Sequence, residues 1–174
     1  INDDMDNISI DALANIMAAA GDQVAREYYV NDAGRQANLF GLSLLARYKE
    51  LAGVGGEFPE DGYPAPYVTE LAKQMFEEVP DLLDKSPEEQ EMFCKIWGTD
   101  EMVRQQKADL SDFGVKFDLW FRERSLHESH RIEEVIQHLD DEGLLYEDEG
   151  AKWFASTKFG DDKDRVVVKS DGVP

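Results

Sequence analysis

The chain has 174 residues, 42% of them hydrophobic and 32% charged, so it is long enough to bury a core and suits one domain, or one domain with a small insertion. Its net charge of −20 makes it a poor primary binder of nucleic acid, because that affinity comes mostly from Lys and Arg neutralising phosphates. The single cysteine excludes an internal disulfide framework, and no apolar run approaches the ~20 residues of a membrane span. We therefore expect a cytoplasmic protein without membrane contact, in which Cys94 is a buried helical thiol rather than a nucleophile.

Helical and strand periodicities alternate along the chain. The predicted elements, in order, are a helix at 11–20, a strand at 24–30, a helix at 36–53, a loop at 53–66, helices at 67–79 and 86–113, a strand at 115–121, a helix at 129–142, and short strands at 144–147, 152–156 and 165–169. Ser86-Pro87-Glu88-Glu89 predicts a capped helix start, and Gly98 is a candidate break in that helix. Two strands separated by ~80 mostly helical residues indicate an α/β sheet interrupted by a helical insertion. The last three strands predict an antiparallel meander.

The segment from Glu27 to Gln36 reads Glu-Tyr-Tyr-Val-Asn-Asp-Ala-Gly-Arg-Gln. A strand there ends in a polar, glycine-containing turn before a helix begins. Open α/β sheets place ligands outside the carboxyl ends of strands, so this turn is a candidate border of a binding site. Any βα unit needs such a turn, and the pattern alone therefore leaves a purely structural role open.

Glu123 follows the second predicted strand, between Arg122 and Arg124. Its spacing favours a surface carboxylate in a local ion pair. The alternative is a binding role, since a carboxylate at a strand's carboxyl end accepts a guanidinium through two parallel hydrogen bonds.

Two patterns raise the question of a metal ion, and we predict none. His127, His130, Glu134 and His138 would share one helical face, but the outer histidines are about 16 Å apart along a helix, too far for one ion. The acidic run 161–164 lacks the spaced ligands and glycine of a calcium loop, and a hairpin turn accounts for it. The chain also contains no glycine-rich phosphate loop.

Several longer stretches, in the same order, resemble arginyl-tRNA synthetases. They are residues 11–21, the segment 27–36 described above, 58–63 followed by 67–72, 113–120 and 157–172. The resemblance implies an α/β fold: an incomplete Rossmann-like class I synthetase catalytic fold, helix-rich, with a helical insertion and a short antiparallel β meander. It divides the chain into a non-matching or disordered start at 1–10, a core part at 11–41, the insertion at 42–112, and a second core part with the meander at 113–174.

The same resemblance implies a function and a site. Enzymes of this family activate arginine with ATP, accompanied by Mg²⁺, to arginyl-adenylate and transfer the arginine to tRNA(Arg). Glu123 matches a carboxylate that receives the arginine side chain. Asn31 and Asp32 border the same pocket, and Gly34 and Gln36 belong to the pocket turn. Arg122 occupies a position where the family usually has a small residue.

Two family signatures are absent from these 174 residues: a His-x-Gly-His motif, expected just before Asp11, and a Lys-Met-Ser-Lys-type loop. We therefore expect a fragment of the catalytic domain that carries no catalytic residue, holds no bound cofactor, binds nucleic acid weakly and is inactive alone. The alternative is a free-standing acidic paralogue that acts as an interaction or regulatory module.

Overall fold

The structure, a computed structural model, describes the backbone of residues 4–174 and the side chains of residues 9–174. Its helices are α1 (Asp4–Ala19), α2 (Gly34–Leu51), α3 (Pro66–Glu78), α4 (Pro87–Asp112), α5 (Arg124–Glu128) and α6 (Arg131–Asp141), with 3₁₀ turns at Leu82–Asp84 and Ser156–Phe159. Its strands are β1 (Glu27–Val30), β2 (Leu119–Arg122), β3 (Leu145–Asp148), β4 (Ala151–Phe154) and β5 (Arg165–Val168). The chain folds into two compact units: the first ends at Glu123, and the second spans Arg124–Pro174. None of the described helices is long and apolar enough to cross a membrane.

The main core of the first unit lies between α2, α3 and α4. Its fully buried side chains come from all three helices and the turn after α3, and include Leu44, Tyr48, Val68, Met75 and Leu82. The Tyr48 hydroxyl donates a hydrogen bond to the Val79 carbonyl, so this buried polar group is satisfied.

Two glycines allow α2 and α4 to pack closely. A Cβ atom at Gly41 would lie 2.8 Å from the Lys95 backbone, and one at Gly98 would lie 2.9 Å from side-chain atoms of Leu44 and Phe40. Helix α4 continues through Gly98, so the predicted break there was wrong. The glycine provides space for the neighbouring helix rather than ending its own.

The strands β1 and β2 form a parallel pair in which Tyr28 is opposite Trp120 and Val30 is opposite Arg122. The Tyr28 ring stacks on Trp120 with centroids 4.5 Å apart and meets Phe117 edge-on at 5.2 Å, which anchors the register. Both strands are shorter than predicted. Residue Val115, for example, closes a helix-end turn by donating its N–H to the Leu110 carbonyl instead of pairing with β1.

Helix α1 begins at Asp4, earlier than the predicted start at Asp11. The guanidinium of Arg26, just before β1, donates to Asp11 Oδ1 at 3.1 Å and to Asn15 Oδ1 at 2.7 Å. These contacts fix α1 to the beginning of the parallel pair.

The second unit contains the predicted meander, which is confirmed as an antiparallel sheet in the order β3-β4-β5. The helix predicted at 129–142 is confirmed as α6, and a short helix that was not predicted, α5, precedes it; His130 adopts a left-handed backbone with a φ of 57° between the two. The acidic run before β5 is held by hydrogen bonds: Arg165 donates two bonds to Asp161, and Asp164 accepts bonds from the N–H and hydroxyl of Thr157.

Candidate functional site

The parallel register of β1 and β2 places the ends of both strands at the same edge of the sheet. Val30, the last residue of β1, is opposite Arg122, the last residue of β2, and the Glu123 N–H donates to the Val30 carbonyl at 3.1 Å. The residues that follow, Asn31 and Asp32 on one side and Glu123 on the other, therefore lie at one edge. The structure thus brings together three of the residues singled out in the sequence.

A cavity of about 280 Å³ opens beside this edge, close to the lower end of the range for small-molecule pockets. Three predicted residues, Asn31, Asp32 and Gln36, line it. Among the described residues, Gly34 and Glu123 are not part of the lining. Gly34 starts α2 with a φ of 71°, a left-handed conformation that favours glycine, so its contribution is the shape of the turn.

Glu123 is half-buried and contacts Tyr29, a residue of β1 that lines the cavity. The Tyr29 hydroxyl donates a hydrogen bond to the Glu123 carboxylate. Burial raises the pKa of Tyr29, and the negative charges of Glu123 and Asp32 raise this pKa further. Tyr29 therefore stays a neutral donor that orients the Glu123 carboxylate.

Asp32 is the most buried charged group at the site, with 1% of its surface exposed. Arg122 Nη1 lies 3.2 Å from Asp32 Oδ2, and the same nitrogen donates to Asp100 Oδ1 on α4. A buried carboxylate requires such a partner, because an uncompensated charge is costly away from water. Arg122 thus connects the end of β2, the turn after β1 and helix α4.

Another part of the cavity wall comes from α4 and from two tyrosines after α2, Tyr63 and Tyr67. The α4 residues include Thr99, Met102, Gln106 and Asp109. The sequence analysis proposed none of these as site residues. Gln106 Nε2 donates to the Tyr28 hydroxyl, which ties this wall to β1. A signal was present in the sequence: three polar residues recur at helical spacing on the face that also carries Met102.

The chemistry of the cavity suits an organic cation with an apolar stem. Carboxylates of Asp32 and Asp109 lie among aromatic and amide side chains, and the Glu123 carboxylate accepts a hydrogen bond from the lining residue Tyr29. In the described part of the chain, no three His, Cys, Asp or Glu residues group as metal ligands. Cys94 is buried in the helical core, and burial raises its pKa to about 12, so it is a neutral thiol at physiological pH.

Comparisons with known proteins agree with this description. The family model for class I tRNA synthetases (R), catalytic domain, matches residues 6–174. The arginine–tRNA ligase of Oceanobacillus iheyensis is 47% identical over 93% of this chain and 29% of its own length; that of Geobacter sp. (strain M21) is 48% identical over 94% and 30%. A crystal structure described as an arginyl-tRNA synthetase from Campylobacter jejuni superposes with a TM-score of 0.78 and 33% identity, covering 95% of this chain and 36% of that chain.

The family resemblance and the helix-rich α/β fold class predicted from the sequence are therefore confirmed. The chain spans about 30% of the length of the curated relatives that it matches.

Proposed function

The chain belongs to the family of class I arginyl-tRNA synthetase catalytic domains, and from this premise we propose that it forms part of the catalytic domain of an arginine–tRNA ligase. The proposed enzyme joins arginine to ATP as arginyl-adenylate, with release of pyrophosphate, and then transfers the arginine to tRNA(Arg). The observation that carries the proposal is the family match, which extends over residues 6–174.

We assign recognition of the arginine side chain to Glu123. Its carboxylate offers two oxygens to a planar guanidinium, and the Tyr29 hydroxyl bound to it limits its rotation. Asn31 and Gln36 supply amide groups at the cavity wall, while Gly34 shapes the turn between them. Asp32 contributes to the same wall, with its charge already paired to Arg122.

The residues present do not fit ATP. Among the described residues, the cavity lining contains no Lys or Arg that would meet a triphosphate. We therefore assign ATP, its Mg²⁺ and most contacts to tRNA to parts of the longer relatives outside the matched third. We also propose that the 174-residue chain alone does not catalyse arginine-dependent exchange between ATP and pyrophosphate.

The test is Glu123→Gln in the intact ligase that contains this chain. The substitution keeps the shape of the side chain but removes its charge and one acceptor, leaving a guanidinium facing an amide donor. We expect a loss of about 2–4 kcal/mol, roughly 30- to 1000-fold in kcat/KM for arginine. The KM for ATP should change little. Steady-state pyrophosphate exchange measures both constants.

Glu77→Gln provides the matched control, because Glu77 is exposed on α3 and the change removes the same charge. If Glu123→Gln leaves arginine unaffected but weakens ATP, Glu123 is a structural residue and the pocket assignment is wrong. The reading frame separately tests the paralogue hypothesis: a frame that continues into a Lys-Met-Ser-Lys-type loop supports the ligase, whereas a stop codon directly after Pro174 supports the paralogue.

A further inference from the structure

The chain places a guanidinium of its own beside the candidate arginine pocket: Arg122 does not line the cavity, but it contacts Asp32, which does. Arg122 directly precedes Glu123, and its Nη1 is shared between the carboxylates of Asp32 and Asp100. Asp32 lines the cavity and is 1% exposed, while the Arg122 side chain is 26% exposed. One of the carboxylates that line the pocket thus already binds a guanidinium of the protein itself.

This pairing changes what a ligand cation meets. A buried carboxylate at a cavity wall attracts a cation strongly, since charges interact more strongly away from bulk water. With Arg122 in place, the negative charge of Asp32 is partly offset by a guanidinium that it shares with Asp100, and a second guanidinium near Asp32 would be repelled by the first. The nearby Glu123 carboxylate has a different partner, the neutral Tyr29 hydroxyl, so its charge is uncompensated by that contact.

We propose that Arg122 is a positioning residue that sets the affinity and binding mode of arginine, an inference that rests on the proposed function. By occupying Asp32 in cis, Arg122 prevents a ligand guanidinium from binding there and directs it to Glu123. The alternative, a purely structural ion pair, makes the opposite prediction for the ligand: loss of the pair disturbs the wall and weakens binding or leaves it unchanged.

The test is Arg122→Met in the intact ligase, measured by arginine-dependent pyrophosphate exchange. Methionine retains an unbranched apolar stem but removes the positive charge beside Asp32, so a ligand cation near this carboxylate is no longer repelled. We expect the KM for arginine to fall by about tenfold, from the removal of one unit charge near the ligand, while the KM for ATP stays the same. Inhibition by ethylguanidinium should strengthen in parallel, whereas inhibition by citrulline, the neutral isostere of arginine, should not.

Arg104→Met is the matched control. Arg104 pairs with Glu101 on α4, a carboxylate whose side chain is only 9% exposed, but neither residue is among the described residues that line the cavity. This variant also leaves a buried carboxylate without its guanidinium, so any general effect of such a loss appears in it too. Its KM for arginine should equal that of the unmodified enzyme.

A KM for arginine that is unchanged or raised by Arg122→Met overturns the inference. If Arg122→Met does not fold, Arg122→Gln, which keeps hydrogen-bond donors without the charge, is measured in its place. Failure of both to fold assigns Arg122 to stability alone and also overturns it. Absence of any arginine-dependent exchange in the unmodified ligase would instead refute the proposed function.

Discussion

The close approach of α2 and α4 allows a stability prediction from two glycines in comparable helical positions. Gly41 and Gly98 both lie inside helices, where replacement by alanine alone would stabilise the helix by about 1 kcal/mol. What differs is the atoms that a new Cβ would meet. At Gly41 it would lie 2.8 Å from the Cα and N atoms of Lys95, whereas at Gly98 it would lie 2.9 Å from the ends of the Leu44 and Phe40 side chains.

Backbone atoms cannot rotate away, so Gly41→Ala requires α2 and α4 to separate. The favourable distance between carbon atoms is about 3.5 Å or more, which implies a local separation of roughly 0.7 Å. Overpacking of this kind costs about 1–3 kcal/mol, and subtracting the gain of about 1 kcal/mol in helix propensity leaves a net loss of about 0–2 kcal/mol. At Gly98 the side-chain ends can shift, so we expect Gly98→Ala to lower the free energy of unfolding by only about 0–1 kcal/mol.

Urea denaturation followed by circular dichroism at 222 nm measures both variants against the unmodified chain. Gly41→Ala should have the lower midpoint, and its melting temperature should fall by about 2–4 °C for each kcal/mol lost. A Gly41→Ala variant more stable than the unmodified chain would show that α2 and α4 are farther apart than described. Gly98→Ala serves as the control for the common effect of adding a methyl group to a helix.

Further predictions concern the thiol, one carboxylate and nucleic acid. Because burial raises the pKa of Cys94 to about 12, the thiol should not react with DTNB in native protein at pH 8 and should react fully in urea; rapid native labelling would contradict its place in the core. Hydrogen bonds from the Thr157 N–H and hydroxyl lower the pKa of Asp164, so its stabilising effect should be complete above pH 3.8 and be lost as the pH falls further; an NMR titration midpoint at or above 3.8 would refute this. With a net charge of −20, the chain should bind tRNA no better than a neutral control protein at physiological salt, and a salt-sensitive gel shift at low micromolar concentration would reveal an overlooked basic face.

Features that depend on neighbouring residues were readable from the sequence. The capping box at the start of α4 is confirmed: the Glu89 N–H donates to Ser86 Oγ, and the Ser86 N–H donates to Glu89 Oε2 at 2.9 Å. The meander was equally predictable, because its short strand-like segments and the acidic turns that join them lie within a few residues of one another in the sequence. Even the edge where Asn31 and Glu123 lie follows from two predicted strands that are each followed by polar residues, once the strands are taken as parallel.

Other features arise only when distant segments come together. Gly98 read as a helix break, since its reason for being glycine lies in α2. Arg122 lies 90 positions from Asp32 and 22 positions from Asp100, so no local sequence pattern predicts either contact. The cavity wall from α4 likewise exists only because that helix packs beside β1.

The sequence by itself therefore determined the family, the kinds of elements and the edge at which the candidate site lies, because these follow from periodicity, turn residues and long matched stretches. Tertiary structure alone decided which charges are compensated there. A carboxylate and a guanidinium have the same sequence signature on a surface as in a buried pair, and only packing removes the water that would otherwise separate them. Whether the Asp32 carboxylate is open to a ligand or occupied by Arg122 is thus a property of the fold.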